Sequence, residues 1–268
     1  MPSMARPARL TFLGHSTVLI ELDSVRILTD PILFDRVGPL RRVVTPVDPG
    51  AYRAIDLVLL SHLHLDHFDV PSLRLLGPDV RLVVPTGAGK LLERLGFSDV
   101  DEVAPGQRLE IGRSLTITAT PAAHGGFRPP LGPRAAAVGY VIAAHDERIY
   151  FAGDTDLFPG MTDLAPGLNV ALLPVWGWGP SLGRGHLDPA RAAQAVRLLK
   201  PRIVVPIHWG TLWPFGLGRV RPGRLAQPPL EFAMEVARTD PDATVLVTAP
   251  GERVAAWPDD LNRDRREP

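Results

Sequence analysis

Residues 61–67 read Ser-His-Leu-His-Leu-Asp-His, which places three of the chain's eight histidines and an aspartate directly after the apolar run IDLVLLS. A continuous run of aliphatic residues reads as a strand buried on both faces, so the polar heptapeptide falls where that strand leaves the core. In an extended segment His62 and His64 project to the same side, and two imidazoles two residues apart can grip one ion. Asp66 and His67, one step further on, could reach a second. A fold that serves this segment must bring other polar residues to the same strand edge.

The rest of the chain offers such residues at matching places. RLTFLG, TVLIEL and VRILTD read as an opening strand and hairpin, and Asp30 stands at the end of the third segment. LTITATP is followed closely by His124, IYFAG by Asp154, and RIVVPI by His208. Helices are expected after Pro71, over about 87–95, after the Asp188 cap with Pro189 in the first turn, and over about 230–238. ATVLVTA reads as a last strand. Mixed strands and helices of this kind argue for an α/β (α+β) chain with two central sheets flanked by helices. The expected domain is single and spans 1–258, with 259–268 a disordered polar tail.

Composition narrows the chemistry. The 268 residues are 45% hydrophobic, enough for a sizeable core, and the formal net charge is zero. No basic field draws such a chain to nucleic acid, so no nucleic-acid partner is expected. Cysteine is absent, which excludes disulfides, thiolate metal sites and a cysteine nucleophile. Any metal must be held by nitrogen and oxygen. No apolar run is long enough to cross a bilayer, so a cytoplasmic location is expected, with peripheral membrane contact left open. PTGAGKL, residues 85–91, imitates a phosphate loop but has Val84 where glycine is needed and Leu91 where Ser or Thr is needed. His145 lies in the turn AHDER and reads as solvated.

The ordered set His62-x-His64-x-Asp66-His67, then His124, Gly153-Asp154-Thr155 and His208, resembles that of the metallo-β-lactamase superfamily. The resemblance implies a four-layer αββα sandwich. It also implies that His62, His64 and His124 hold one metal, that Asp66, His67 and His208 hold another, and that Asp154 bridges them. Asp30 is expected to orient the histidine loop from behind. Two divalent ions follow as cofactors, zinc by default, with manganese or iron equally compatible with these ligands.

The superfamily's common zinc β-lactamases need a cysteine at the second metal, and its flavo-diiron branch has glutamate in place of His64. FLGHSTVLIEL, RILTDPIL, GHLDPARAAQAV, PIHWGT and QPPLEF resemble instead the group of N-acyl-phosphatidylethanolamine phospholipase D and L-ascorbate-6-phosphate lactonase. That likeness implies a dinuclear hydrolase of a phosphodiester, with a lactone or similar ester as the alternative. A hydroxide shared by two metals would attack, because zinc lowers the pKa of bound water from about 15.7 to about 7. A nuclease and a non-catalytic metal-binding scaffold are rivals of lower rank.

His186, just before the Asp188 cap, is the candidate proton donor to the leaving group, beside the plain alternative of a hydrogen bond at a helix end. His15 in GHS reads as an orienting or core residue and is given no role. Trp176, Trp178, Trp209 and Trp213 either form an apolar wall beside the metals or cap the core. Arg184, Arg219, Arg221 and Arg224 share those loops and could hold a phosphate or carboxylate of a small-molecule or lipid-like substrate.

Overall fold

The computed structural model describes residues 8–128, 132–217 and 220–254. The first half lays down β1 (Arg9–Gly14), β2 (Thr17–Leu22), β3 (Val25–Thr29), β4 (Arg36–Val37), β5 (Leu40–Arg42) and β6 (Leu57–Leu59). Helix α1 (Val70–Leu76), β7 (Arg81–Pro85), α2 (Gly89–Arg94) and β8 (Val100–Val103) follow. The second half adds β9 (Arg108–Ile111), β10 (Leu115–Pro121), β11 (Val138–Ala144), β12 (Glu147–Phe151) and β13 (Val170–Pro174). After these come α3 (Pro189–Leu199), β14 (Ile203–Ile207), β15 (Leu212–Pro214), α4 (Gln227–Thr239), β16 (Thr244–Val245) and β17 (Glu252–Arg253).

Two seven-stranded sheets result, ordered β17-β1-β2-β3-β6-β7-β8 and β16-β14-β13-β12-β11-β10-β9. The halves share one plan. In each an antiparallel meander, β1-β2-β3 or β10-β11-β12, turns into parallel pairing through β6 and β7 or through β13 and β14. Within each half the first and last strands of the meander and the strands parallel to it run the same way, so their C-terminal ends share an edge. Ligands gather at such edges in open α/β sheets.

Alternation along the strands sorts the core. On β2, Val18 and Ile20 join β10–β14 residues in the main cluster, whereas Leu19 joins Leu28, Val58 and Leu60 against Leu73 of α1 and Leu92 of α2. The main cluster also takes in Val196 of α3 and Phe232 of α4. The layers are therefore helix, sheet, sheet, helix, as expected. Asp188 accepts from Arg191 N at 2.8 Å and Pro189 opens α3, a cap worth about 1 kcal/mol.

Some details depart from the sequence reading. ATVLVTA pairs only at Thr244 and Val245, an edge strand that ends before the exposed Val247. Helix α4 begins earlier than expected, because Pro228 and Pro229 fit a first turn whose N–H groups need no intrahelical partner. The short β4, β5 and β15 form a third sheet that carries no alternation signal of its own. At the loop 85–91, Glu102 Oε1 accepts from Gly87 N and Gly89 N at 2.8 and 2.6 Å, so a carboxylate occupies the place a phosphate would need. The tail expected over 259–268 and Arg219 lie outside the described residues. No helix among the described residues is long and apolar enough to cross a membrane.

Candidate metal centre

All seven ligands expected from the sequence meet at one strand edge. His62, His64, Asp66 and His67 follow β6, His124 follows β10, Asp154 follows β12 and His208 follows β14. Their backbones are set apart from ordinary strand exits. Asp30 and His208 adopt left-handed φ of 32° and 63°, and Gly153 takes φ 58° where a Cβ would lie 2.4 Å from Ser61 Cβ. Such conformations persist only where the surroundings enforce them.

His64 Nδ1 lies 3.0 Å from both His62 Nε2 and His124 Nε2, so these three nitrogens converge on one point. His67 Nε2 and His208 Nε2 are likewise 3.0 Å apart, each 3.6 Å from Asp66 Oδ2. Asp154 stands between the groups. Its Oδ2 is 3.1 Å from His67 Nε2 and 3.9 and 4.0 Å from His62 and His124 Nε2, while its Oδ1 is 3.1 Å from His208 Nε2.

The outward nitrogens decide the tautomers. His64 Nε2 faces Phe127 O at 3.1 Å, His67 Nδ1 faces Asp30 Oδ2 at 2.7 Å, His124 Nδ1 faces Gly185 O at 2.8 Å and His208 Nδ1 faces Trp176 O at 2.9 Å. Those oxygens only accept, so each of these nitrogens carries the proton. Ser61 Oγ donates to Asp30 Oδ2 at 2.5 Å and therefore accepts from His62 Nδ1 at 3.0 Å. In neutral rings the inner nitrogens are then lone pairs. Lone pairs facing one another at 3.0 Å repel unless a cation lies among them.

Electrostatics make the same demand. Burial holds His62 and His64 below the ordinary imidazole value and His124 down at about 4, which keeps these rings neutral. Burial also opposes charge on Asp154 and Asp66, but the imidazoles around them, His208 and His67 foremost for Asp154, hold both well below the usual carboxylate range. His67 is the exception among the rings. Burial works against its charge, yet Asp154 and Asp66 push it well above the ordinary value. Asp154 Oδ1 is buried with no hydrogen-bond donor. A buried carboxylate oxygen without a donor calls for positive charge, and nitrogen and oxygen donors in this array suit a divalent cation. The cluster is able to bind metal.

Comparison with known proteins identifies the family. The model of the Beta-lactamase superfamily domain matches residues 25–209. The chain belongs to that superfamily. A UPF0173 metal-dependent hydrolase of Methanopyrus kandleri is 32% identical over 259 residues, covering 91% of this chain and 98% of its own. An N-acyl-phosphatidylethanolamine-hydrolyzing phospholipase D of Caenorhabditis elegans is 29% identical over 231 residues, which are 77% of this chain but 64% of that enzyme. Among solved structures, Igni18, a metallo hydrolase from Ignicoccus hospitalis, superposes with TM-score 0.72 at 27% identity over 93% of this chain and 98% of that one. The chain is accordingly a metal-dependent hydrolase with the metallo-β-lactamase fold.

Around this His/Asp cluster the remaining candidates sort by position. Asp30 lies behind the histidine loop, accepting from Ser61 N at 2.7 Å as well as from Ser61 Oγ and His67. His186 Nε2 comes within 3.3 Å of Asp154 Oδ2, with Nδ1 donating to Gly183 O and Arg184 O at 3.2 and 3.1 Å. A cavity of about 390 Å³ opens over Asp66, Asp154, His186 and His208, and Trp178, Leu65 and Leu182 form its apolar side. His145 is far from this group in the fold, half-exposed beside Asp23 at 3.3 Å.

Three tryptophans require correction. Trp209 and Trp213 are buried and do not line that cavity; their indole N–H groups donate to Pro206 O at 2.9 Å and Leu217 O at 2.8 Å. Trp176 is buried too, beneath the Arg224 guanidinium at 4.5 Å. Each indole N–H needs an acceptor once buried, and a main-chain carbonyl supplies it in the core. Sequence reading also gave no role to His15. Its Nε2 lies 3.0 Å from Asp66 Oδ2 and its ring centroid 3.9 Å from that of His208. The signal was the polar GHS at the end of an apolar strand, but its partner lies 51 residues away.

Proposed function

We propose that this hydrolase is dinuclear and cleaves a phosphodiester that carries an apolar group. The observation that supports the reading is Asp154, whose carboxylate stands between the two groups: Oδ2 lies 3.9 and 4.0 Å from His62 and His124 Nε2 and 3.1 Å from His67 Nε2, and Oδ1 lies 3.1 Å from His208 Nε2. His62, His64 and His124 would hold one ion, Asp66, His67 and His208 the other, with Asp154 common to both. Two divalent cations, zinc by default, would supply a nucleophile from water at neutral pH and offset charge on the phosphoryl oxygens.

The protein's own groups complete the chemistry. His186 Nδ1–H is fixed on the Gly183 and Arg184 carbonyls, so a proton held at Nε2 faces the cavity beside Asp154, where a departing alkoxide can take it. His15 and Asp30 keep Asp66 and His67 in place through hydrogen bonds. Trp178, Leu65 and Leu182 exclude water and favour an acyl or aromatic substituent. The relative named for N-acyl-phosphatidylethanolamine hydrolysis supports a phosphodiester over a lactone.

The test is hydrolysis of bis(4-nitrophenyl) phosphate by protein loaded with zinc or manganese, beside Asp66→Ala and a simple lactone. Metal-dependent cleavage of the diester, lost in the variant, is expected. Turnover of the lactone alone would move the substrate to carboxylic esters and leave the hydrolase assignment standing.

A further inference from the structure

The segment 181–186 has a second face. On the side away from the metal cluster lies a cleft of about 640 Å³ whose walls bring together Arg184, Arg191, Arg221 and Arg224. Ser181, Leu182, Gly183 and His186 line both this cleft and the cavity over Asp154, so the two spaces are separated by little more than that segment and the His186 ring. Four guanidinium groups in one concavity repel one another unless each is compensated.

Compensation is incomplete. Asp156 and Asp188 are the acids in the cleft wall, and both are committed. Asp156 Oδ1 accepts from Arg191 Nε at 2.7 Å, and Asp188 Oδ1 accepts from the main-chain N–H of Arg191 at 2.8 Å as the cap of α3. Arg224 pairs with Glu231 at 3.1 Å and lies over Trp176. Among the described residues, Arg184 and Arg221 form no ion pair. Arg221 is tied only to Pro180 O at 3.4 Å, which keeps its charge beside the segment.

We propose that this cleft is a second substrate subsite that binds a compact oxyanion, a phosphate or carboxylate group remote from the scissile bond, through Arg184 and Arg221. The guanidinium fork matches such groups in two-point geometry, and a partly enclosed concavity strengthens the pairing relative to open solvent. A substrate would then straddle residues 181–186, with its reacting ester over Asp154 and its anionic arm against the arginines. That substrate assignment rests on the hydrolase reading above, whereas the anion site itself stands on the cleft alone.

Binding tests it without any turnover. Metal-loaded native protein and the Arg184→Gln/Arg221→Gln variant are titrated with inorganic phosphate by calorimetry, and with phosphatidylcholine vesicles with and without phosphatidic acid by co-sedimentation. Metal content is measured in both proteins, and the single Arg184→Gln change serves if the double variant fails to fold. Phosphate at the metals gives one step in either protein. A second step present in the native protein and weakened at least tenfold in the variant supports the site for a soluble substrate. Vesicle binding that depends on phosphatidic acid and is lost in the variant supports it for a lipid-borne one. Identical behaviour of native and variant protein in both titrations overturns the proposal. Phosphate binding in the cleft by a protein that cleaves no phosphodiester would sink the substrate reading while leaving the site.

Discussion

The group His62, His64 and His124 and the group Asp66, His67 and His208 face the same carboxylate but are held in different ways. The first is made of neutral rings, and His64 and His124 lean on carbonyls of the loops at Phe127 and Gly185 and keep some exposure. The second is buried throughout. It contains the Asp66 carboxylate, and behind it stand Asp30, donating nothing and accepting from His67, and His15, which touches both Asp66 and His208. The difference teaches that one cluster can contain a half set by the core and a half set by loops. Metal at the buried half is linked to fold stability, and metal at the other half to the position of residues 123–127 and 183–186.

The sharpest way to break this comparison is to remove what the groups share. Asp154→Ala should lower the affinity of both groups for metal, leaving less than one ion per chain by elemental analysis. Removing one member of a buried charge cluster costs about 3–5 kcal/mol, so if that loss falls on metal binding, affinity should drop roughly 10²–10⁴-fold and metal-dependent hydrolysis with it. Asp66→Ala should deplete only the second group. If Asp154→Ala retained two ions, the carboxylate would not join the groups and its place as their common ligand would be lost.

His186 comes next in size. It approaches Asp154 from the loop-held side, with its ring 4.7 Å from that of His124. As the proton donor, His186→Ala should reduce kcat by about 10²–10³-fold for an alkoxide leaving group, and far less for 4-nitrophenolate, which departs without a proton. Metal content should stay at the native level. Loss of an ion together with equal losses on both substrates would instead make His186 part of the first group's support.

How far the sequence announced this arrangement varies by residue. The seven ligand candidates were legible because each breaks an apolar strand pattern with a metal-binding side chain, and the strands that precede them run in one sense within each half. Trp209 and Trp213 could not be read the same way. An indole in a loop looks alike whether its ring faces a cavity or the core, and only the carbonyls of Pro206 and Leu217 decide it. The arginine cleft was half visible. Arg184, Arg221 and Arg224 stand in loops near the motifs, but Arg191 sits on α3, and only the structure sets it beside Asp156. The sheet of β4, β5 and β15 left no trace, since strands of two or three residues are too short to alternate.

His15 offers the finest test, because it acts on one group and does not itself line the cavity. Burial, with His208 alongside, brings its pKa down to about 3, so the ring is neutral and carries one proton. Nδ1 has no partner, whereas Nε2 faces Asp66 Oδ2 at 3.0 Å, and a carboxylate oxygen accepts only. The proton therefore belongs on Nε2, and the bond fixes which way Asp66 presents its charge. His15→Phe keeps the ring against His208 and removes that bond. Loss of such a supporting contact costs about 10–100-fold in metal affinity, and here it should fall on the second ion alone in a competition titration with a chelator. The His62, His64 and His124 group, which His15 does not touch, should bind as before. Equal weakening of both ions would mean that the two groups behave as one body, and no weakening of either would reduce His15 to packing between β1 and β14.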